Sequence, residues 1–325
     1  MKPAHFPANR PYEELIADDP VFNPAIHLCL EYPQDILTLA DLGYDESLIQ
    51  TPSFVAATSC FRVLSDAGVE ALHHVCKQLE QFTTSNPRIA RNVRGGVYRS
   101  KFLRDLALSP QITAHMSKLL HTQLAPHGMG HQLAHLNYQP LTPGENVDKW
   151  HWDTLQVDYV MFVTDPQKVE GGEFQYFNGT KQEMAKLSAA GKPVPADRII
   201  APAMPGPGYA VLMQGDHVVH QARGIKEGER ITLVNGYTYL DPMARDYTAI
   251  GQILHADPKP VVIAEYARHM ALRCETLISD TINQPDYKID VKAQTQLLQR
   301  ARLELDDAIL QLESLGHEEM RHFGD

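Results

Sequence analysis

Residues 208–234, GYAVLMQGDHVVHQARGIKEGERITLV, decide which class of fold the rest of the chain completes. The segment contains short apolar and β-branched runs at 209–213, at 217–222 and from residue 230 onward, separated by glycine-containing turns. Runs of this length without a helical stretch between them are typical of antiparallel strands rather than of βαβ units. The segment therefore predicts an antiparallel sandwich or barrel.

The same pattern extends upstream, so that the predicted β-rich core covers residues 131–245. Further short runs, punctuated by Gly and Pro, occupy 132–138, 154–163 and 173–177. Residues 178–206 form a long connection, for which we expect a short helix and a role as a lid or binding loop. The core is therefore expected to carry one insertion.

Helical patterns precede the β-rich core, and residues 1–130 are predicted to be helix-rich. Ser65 is the candidate N-cap of a helix in 61–82, and Pro110 is predicted to separate two short helices within 99–125.

Residues 246–325 are predicted to be helical again, within the same single domain. In 291–315, apolar residues recur at three-four spacing, with Gly316 as a candidate stop. Core packing is the simpler interpretation of this stripe, and a homodimer seam is the alternative.

The composition narrows the classes of function. The 325 residues carry a formal net charge of -11, with 29 Lys and Arg against 40 Asp and Glu, so nucleic-acid binding is not expected. The four cysteines form no CxxC pair, which argues against a disulfide framework and a thiolate zinc site. No apolar stretch is long enough to span a membrane and no leader is evident, so we expect a cytoplasmic protein without membrane association.

Two His-x-Asp tripeptides are candidate halves of a metal site. His151 and Asp153 stand two apart at the start of a predicted strand, so their side chains share a face and can reach one ion. Two histidines and one carboxylate leave three positions of an octahedral Fe(II) open. The second tripeptide, His255-Ala256-Asp257, lies after the β-rich core with no strand-borne histidine following it, and is not expected to bind metal.

The third ligand has two candidates, His217 and His220, which face opposite sides of a strand because they are three apart. His220 is favoured because Arg230 follows ten residues later. If the chain turns back through GIKEGE, that cation lies beside the ligand strand, and Thr232 shares its face.

Residues 137–239 resemble the Fe(II)/2-oxoglutarate-dependent dioxygenases, whose core is a double-stranded β-helix of the jelly-roll, cupin-like type. The resemblance is carried by NYQP (137–140), HWD (151–153), EGGEF (170–174), PGPGYAVLMQGD (205–216) and HQARGIKEGERIT (220–232), in this order and spacing. It covers about a third of the chain. The resemblance implies an α+β fold in which this core is flanked by N- and C-terminal helices.

The resemblance also implies a set of ligands. Fe(II) would be held by His151, Asp153 and His220, and the distal carboxylate of the cosubstrate 2-oxoglutarate would pair with Arg230, assisted by Thr232. Tyr138 matches a position that often contacts the cosubstrate, although sheet packing is an equal alternative. His135 and Asn137, on the opposite strand face, are rival pocket residues.

The implied reaction couples oxidative decarboxylation of 2-oxoglutarate, with O2, to oxidation of a C–H bond in a small molecule, such as an amino acid or another carboxylate. Hydroxylation is the first expectation, and desaturation or cyclisation share its early steps. Because Asp153 is a carboxylate, the related halogenases, which have a small residue there, are not indicated. The alternatives are a peptide or protein hydroxylase of the same family, and a jelly-roll module that binds metal or senses a ligand without turnover.

Substrate-binding residues are harder to select. The basic run RIARNVRGGVYRSK (88–101) could place a cation, Arg94 or Arg99, over the pocket mouth, although a solvated basic turn is the simpler interpretation. Trp150 is a candidate for the entrance, whereas Trp152 is expected to point away from the metal and pack. The two glycines of EGGEF are expected to serve a turn or bulge that enters a strand.

Overall fold

The computed structural model of the protein describes residues 14–241, 244–283, 290–315 and 323. The strands are β1 (Ile36–Thr38), β2 (Val55–Thr58), β3 (Phe61–Arg62), β4 (Asn92–Val93), β5 (Leu124–Pro126), β6 (His135–Tyr138), β7 (Asn146–His151), β8 (Val157–Phe162), β9 (Glu170–Gly171), β10 (Phe174–Phe177), β11 (Ile199–Ile200), β12 (Tyr209–Met213), β13 (His220–Glu227) and β14 (Ile231–Tyr239). The helices are α1 (Pro24–His27), α2 (Asp66–Leu79), α3 (Lys101–Ala107), α4 (Pro110–Leu119), α5 (Lys181–Ala189), α6 (Ile250–Ile253), α7 (Lys259–Ile282) and α8 (Val291–Glu313).

Two antiparallel sheets form the centre of the molecule. The larger has the order β1-β2-β12-β8-β14-β6-β4, with β3 also pairing β12 and β5 pairing β14. The smaller has the order β11-β10-β13-β7, with β9 pairing β13. Val160 of β8, Phe174 of β10 and Met213 of β12 meet in one apolar cluster, so the two sheets pack face to face. The predicted α+β jelly-roll sandwich with flanking helices is confirmed.

The alternation of side chains along the larger sheet decides which residues face the space between the sheets. Tyr159 and Leu233 pack outward in a large apolar cluster with the N-terminal helices, whereas Val160 and Phe162 face the smaller sheet. Every residue of β8 is buried because both of its faces are covered, which explains its nearly continuous apolar sequence. By the same alternation, Thr232 faces inward.

The helices of the first 130 residues cover the outer face of the larger sheet. Ser65 accepts a hydrogen bond from the backbone N–H of Gly68 and caps α2, as predicted. The interruption at Pro110 is also present, with Ser109 capping α4. This part also contributes five strands, β1 to β5, to the larger sheet, which its helical patterns did not indicate.

Helices α7 and α8 pack against each other at the C-terminal side. Arg273 and Glu304, both buried, form an ion pair of 3.0 Å between them. The apolar stripe predicted for this region is only partly buried: Ala308 packs in a cluster with α7, whereas Leu298 and Leu305 are exposed. Gly316, the candidate stop, lies outside the described residues.

The predicted short helix of the 178–206 connection is present as α5. Thr180 and Glu183 form a capping box at its start, which fixes where this helix begins. Among the described helices, none is both long and apolar enough to cross a membrane.

Candidate metal centre and its two pockets

Three candidate metal ligands converge where the smaller sheet ends. His151 is the last residue of β7 and His220 the first residue of β13, and the two are directly paired across the strands. Asp153 follows two residues after His151, and its backbone N–H donates to the carbonyl of Gly215 at 2.7 Å. Its carboxylate lies between the rings, 3.3 Å from Nε2 of His151 and 3.4 Å from Nε2 of His220.

The backbone sets the tautomer of both rings. Nδ1 of His151 lies 2.6 Å from the carbonyl of Lys149, and Nδ1 of His220 lies 3.0 Å from the carbonyl of Val218. A carbonyl only accepts hydrogen bonds, so each Nδ1 carries the proton and each Nε2 directs a lone pair at Asp153. Three acceptors therefore face one another, an arrangement that a bound cation stabilises.

The electrostatics of the cluster agree with this donor set. Burial lowers the pKa of His220 to about 4, so this ring is neutral near pH 7. Burial opposes the ionisation of Asp153, but a positive charge on the neighbouring His220 or His151 favours it and lowers the pKa of this carboxyl well below its ordinary value. Oδ2 of Asp153 is buried and has no hydrogen-bond partner among the described residues. A carboxylate with two neutral imidazoles suits a first-row divalent metal.

A second cluster of similar composition lies elsewhere, between the larger sheet and α7. His127, Asp246 and His269 also bring possible ligand atoms close together. The two histidine rings are stacked with their centroids 4.0 Å apart, and all three side chains are buried. Composition alone does not separate this cluster from the first.

Hydrogen bonding separates the two clusters. The backbone N–H groups of Gly128 and Met129 donate to Nδ1 of His269 and of His127, so each Nε2 carries the proton. Nε2 of His269 donates to Asp246 at 2.9 Å, and Nε2 of His127 donates to a threonine hydroxyl. No ring lone pair is left for a metal, and the cluster is a structural network.

Replacement of His269 by alanine tests this distinction. It should lower the free energy of unfolding by roughly 3 kcal/mol, because it leaves the carboxylate of Asp246 buried without its imidazole. Fe(II) should still bind with unchanged stoichiometry, as measured by metal titration of the folded variant. Loss of the only bound metal would show that this second cluster is the metal site.

Gly215 and Asp158 complete the surroundings of Asp153. A side chain at Gly215 would overlap the carboxyl groups of both Asp158 and Asp153, so only glycine fits between them. Burial and the nearby Asp153 raise the pKa of Asp158 well above its ordinary value. Asp158 therefore keeps its proton while Asp153 stays ionised.

Gly215→Ala is accordingly expected to weaken Fe(II) binding by at least about tenfold, because the methyl group displaces the ligand carboxylate. Gly206→Ala is the matched control, since a Cβ at Gly206 meets open space. Metal titration of both variants measures the effect. Equal Fe(II) affinity in the two variants would contradict the role given to Gly215.

The inner pocket lies between the two sheets, next to the metal cluster. Its lining includes His151, Asp153, His220, Arg230 and Thr232. The remaining lining residues come from both sheets and from the loop before β4: Arg88, His135, Asn137, Asp148, Val160, Phe174, Gln221, Ala222 and Val234. His135 and Asn137, the predicted rivals of Tyr138, are therefore in the pocket.

Arg230 is a fully buried cation that has no carboxylate partner in the described part of the chain. The side chain is 1% exposed, and Nε donates to the carbonyl of Gly172 at 2.8 Å while Nη1 donates to Thr232 at 3.3 Å. No carboxylate of the described residues forms an ion pair with Arg230; Asp148 and Glu173 act only at longer range. Burial lowers its pKa to about 10, which leaves it charged at pH 7. A buried charge without a counter-ion favours an anionic ligand.

The second glycine of the EGGEF motif, Gly172, makes room for the side chain of Arg230. Gly172 has a φ of 72°, in the left-handed region, and a Cβ there would press on the side chain of Arg230. The glycine thus lets the backbone approach the guanidinium and supply the carbonyl that holds it.

Two predicted pocket residues lie elsewhere because of strand alternation. Tyr138 packs in the outer apolar cluster, where its hydroxyl donates to the carbonyl of Cys76 at 2.8 Å. Trp150 is buried against Phe177 and Val219 rather than at an entrance. Both aromatic rings point away from the space between the sheets, so the cosubstrate and entrance roles expected for them are corrected.

The basic run also places its cations differently from the expectation. Arg99 stacks over Phe82 at 3.8 Å, and Arg94 bonds to Gln132, and neither lines the inner pocket. Arg88 does line it, with Nε 3.0 Å from Asp148. Nothing in the spacing of the run distinguishes Arg88 from its neighbours.

Asp148 is a further site residue that the motifs did not reveal. Its carboxylate lies beside Arg88 and 3.4 Å from Nδ1 of His151, so it contacts the ring on the side away from the candidate metal position and helps to orient it. The only sequence signal was its position three residues before His151.

An outer cavity of about 590 Å³ opens on the other side of Asp153. His217 lies in its wall, with Nδ1 2.6 Å from the carboxylate of Asp216, and is not part of the metal cluster. Trp152 also lines this cavity while packing partly against the cluster around Trp150. The candidate metal centre thus lies between a narrow inner pocket and a wide outer cavity.

These features define a jelly-roll protein with a two-histidine, one-carboxylate candidate metal centre and a buried arginine beside it. No family model and no curated protein matches the sequence. Among solved structures, the chain is similar to HygX from Streptomyces hygroscopicus with nickel, 2-oxoglutarate and hygromycin B bound. The identity is 16%, over 57% of this chain and 83% of that chain, with a TM-score of 0.39.

Two further solved structures are similar at the same level. The carbocyclase SnoK from nogalamycin biosynthesis, described as non-haem and α-ketoglutarate-dependent, is 18% identical over 64% of this chain and 88% of that chain, with a TM-score of 0.43. AviO1 from Streptomyces viridochromogenes Tue57 is 16% identical over 58% of this chain and 91% of that chain, with a TM-score of 0.44. Likeness at this level does not say which ligands this chain binds.

Proposed function

We propose that the protein is a non-haem Fe(II)- and 2-oxoglutarate-dependent oxygenase. The observation that carries the proposal is the pairing of two features in one pocket. His151, Asp153 and His220 direct three acceptors at one point, and Arg230 is a buried cation without a carboxylate partner among the described residues. A dicarboxylate that reaches from the metal to Arg230 would satisfy both.

The residues of the chain have separable tasks in this proposal. His151, Asp153 and His220 would hold Fe(II) on one face and leave its other positions free. Bound Fe(II) and 2-oxoglutarate would supply the oxidative chemistry, in which O2 is consumed and 2-oxoglutarate is decarboxylated to succinate as a C–H bond is oxidised.

Arg230 and Thr232 would orient the cosubstrate. The planar guanidinium suits two carboxylate oxygens, and the hydroxyl of Thr232, already bonded to Arg230, adds another donor. Burial of this end of the pocket excludes water and strengthens the charge pairing. His135, whose pKa is lowered well below its ordinary value by burial, adds a neutral ring beside the site.

The substrate would be a small molecule that enters through the outer cavity and is hydroxylated, with desaturation or cyclisation as related outcomes. A peptide hydroxylase of similar chemistry would use the same residues. A sensing module would bind both ligands without turnover.

The test is succinate formation by the purified protein. With Fe(II), O2 and 2-oxoglutarate we expect slow succinate release even without a substrate, and none from Asp153→Ala. Binding of both ligands without any succinate, in the presence of a metabolite library, would indicate the sensing module instead.

A further inference from the structure

The size and lining of the outer cavity indicate the kind of molecule that it binds. It borders Asp153 directly, so a molecule bound there lies next to the candidate metal centre. Its volume of about 590 Å³ lies within the range of sites that hold drug-sized ligands. Its walls come from the loop before β2, the start of α5, the β12–β13 connection, residues 245–249 and α8.

Of the four carboxylates among the described lining residues of this cavity, Asp153 belongs to the candidate metal centre and the other three have basic or imidazole partners within the protein. Asp307 pairs with Arg245 at 2.8 Å, Asp246 with His269 at 2.9 Å, and Asp216 with His217 at 2.6 Å. None of these three acids is left without such a partner to attract a cationic ligand.

Lys181 is different. Its ammonium donates to the backbone carbonyl of Asp216 at 3.0 Å and lies 5.9 Å from the ring centre of Trp152. Among the described residues, no carboxylate forms an ion pair with Lys181. The ammonium has three donors, and a ligand can therefore use those that remain.

The position of Lys181 is fixed by its surroundings. It is the first residue of α5, and its backbone N–H donates to the hydroxyl of Tyr44 at 2.9 Å. That hydroxyl donates in turn to the carbonyl of His217 at 2.7 Å. Burial raises the pKa of Tyr44 to about 12, so the hydroxyl keeps the proton that this bond requires. Tyr44 therefore links the backbone of Lys181 to that of His217, which lies in the cavity wall.

Apolar surface lies beside the ammonium. Trp152 faces the cavity, and Leu48 and Leu310, which also line it, are 81% and 64% exposed. Aromatic and aliphatic surface of this kind binds the apolar body of a ligand, whereas the lysine selects its charge.

We propose that the substrate is a mid-sized organic acid whose carboxylate or phosphate group pairs with Lys181 and whose apolar part lies against Trp152. That the bound acid is the substrate rests on the proposed function, whereas the anion site itself does not depend on iron. The cation that binds the substrate is therefore a lysine of the 178–206 insertion, and not Arg94 or Arg99 as expected from the sequence.

The test uses metal-free protein and measures quenching of tryptophan fluorescence by 1-naphthoate, 1-naphthyl phosphate and the neutral 1-naphthamide. We expect the anions to bind more tightly than the amide, and Lys181→Met to weaken their binding by about tenfold without affecting the amide. Lys186→Met, which changes an exposed lysine of the same helix, is the matched control. The tighter of the two anions identifies the preferred acid group.

Equal binding of anions and amide, no binding of either anion, or equal effects of the two lysine variants would overturn the anion site. Trp152→Phe should remove most of the quenching, which places the probe in this cavity. Because iron is absent, naphthoate binding at Lys181 together with a failure to form succinate would refute the oxygenase and leave the anion site standing.

Discussion

Arg230→Ala should weaken 2-oxoglutarate binding by about a hundredfold while leaving Fe(II) affinity nearly unchanged, because removing one partner of a buried charge pair costs several kcal/mol. The arginine contacts no metal ligand in the structure; its bonds go to Gly172 and Thr232. Titration of each ligand separately, without oxygen, measures the two affinities.

Two further variants make the Arg230 result specific. Arg230→Lys keeps the charge but loses the planar fork, so its 2-oxoglutarate affinity should lie between those of the wild type and the alanine variant. Arg223→Ala removes an exposed arginine from β13 and should change nothing. If Fe(II) and 2-oxoglutarate affinities fell equally in Arg230→Ala, the arginine would have a structural role only.

Loss of a metal ligand is the second large effect. His220→Ala and Asp153→Ala should each weaken Fe(II) binding by at least about a hundredfold, since changes behind the ligands alone cost 10–100-fold. His220 is buried and Asp153 is partly buried, and Nε2 of His220 is directed at the carboxylate of Asp153. Metal titration of the folded variants checks this.

His217→Ala is the matched control for His220→Ala. The two histidines belong to the same loop-to-strand segment, but His217 faces the outer cavity and bonds to Asp216. Its removal should leave Fe(II) affinity within about twofold of the wild type, a change below about half a kcal/mol. A loss as large as that of His220→Ala would reverse the assignment of the third ligand.

Much of the central fold follows from short-range patterns in the sequence. Runs with period two, broken by glycine, are local signals, and so is the spacing that separates His220 from His217 by its distance to Arg230. The helix cap at Ser65 and the helix break at Pro110 are local signals as well. These features depend on neighbouring residues only, which is why a single sequence contains them.

Other features depend on contacts between distant segments. Tyr138 and Asn137 are neighbours on β6, so their side chains lie on opposite faces of the sheet. The register of β6 directs the tyrosine toward α2 and the asparagine into the inner pocket. The short strands β2 and β3 form because β12 offers them an edge, and β1 forms by pairing with β2, rather than because of their own propensity. Arg88 reaches the inner pocket from the loop before β4, and Lys181 reaches the outer cavity from the start of α5. No local pattern predicts either position.

The distinction between the two histidine clusters likewise required the structure. Both contain two histidines and an aspartate, yet the rings of one face backbone carbonyls and those of the other face backbone N–H groups. The direction of those peptide groups depends on the strand ends and turns around them. It determines which ring nitrogens keep a free lone pair for a metal.

The most direct test of the proposed metal and cosubstrate site is the visible absorption spectrum of the protein without oxygen. Fe(II) and 2-oxoglutarate added together should give a weak charge-transfer band that neither gives alone. The band should be absent in Asp153→Ala, and Arg230→Ala should require far more 2-oxoglutarate to reach it. A wild-type protein that binds both ligands at saturation without producing the band would contradict a shared site.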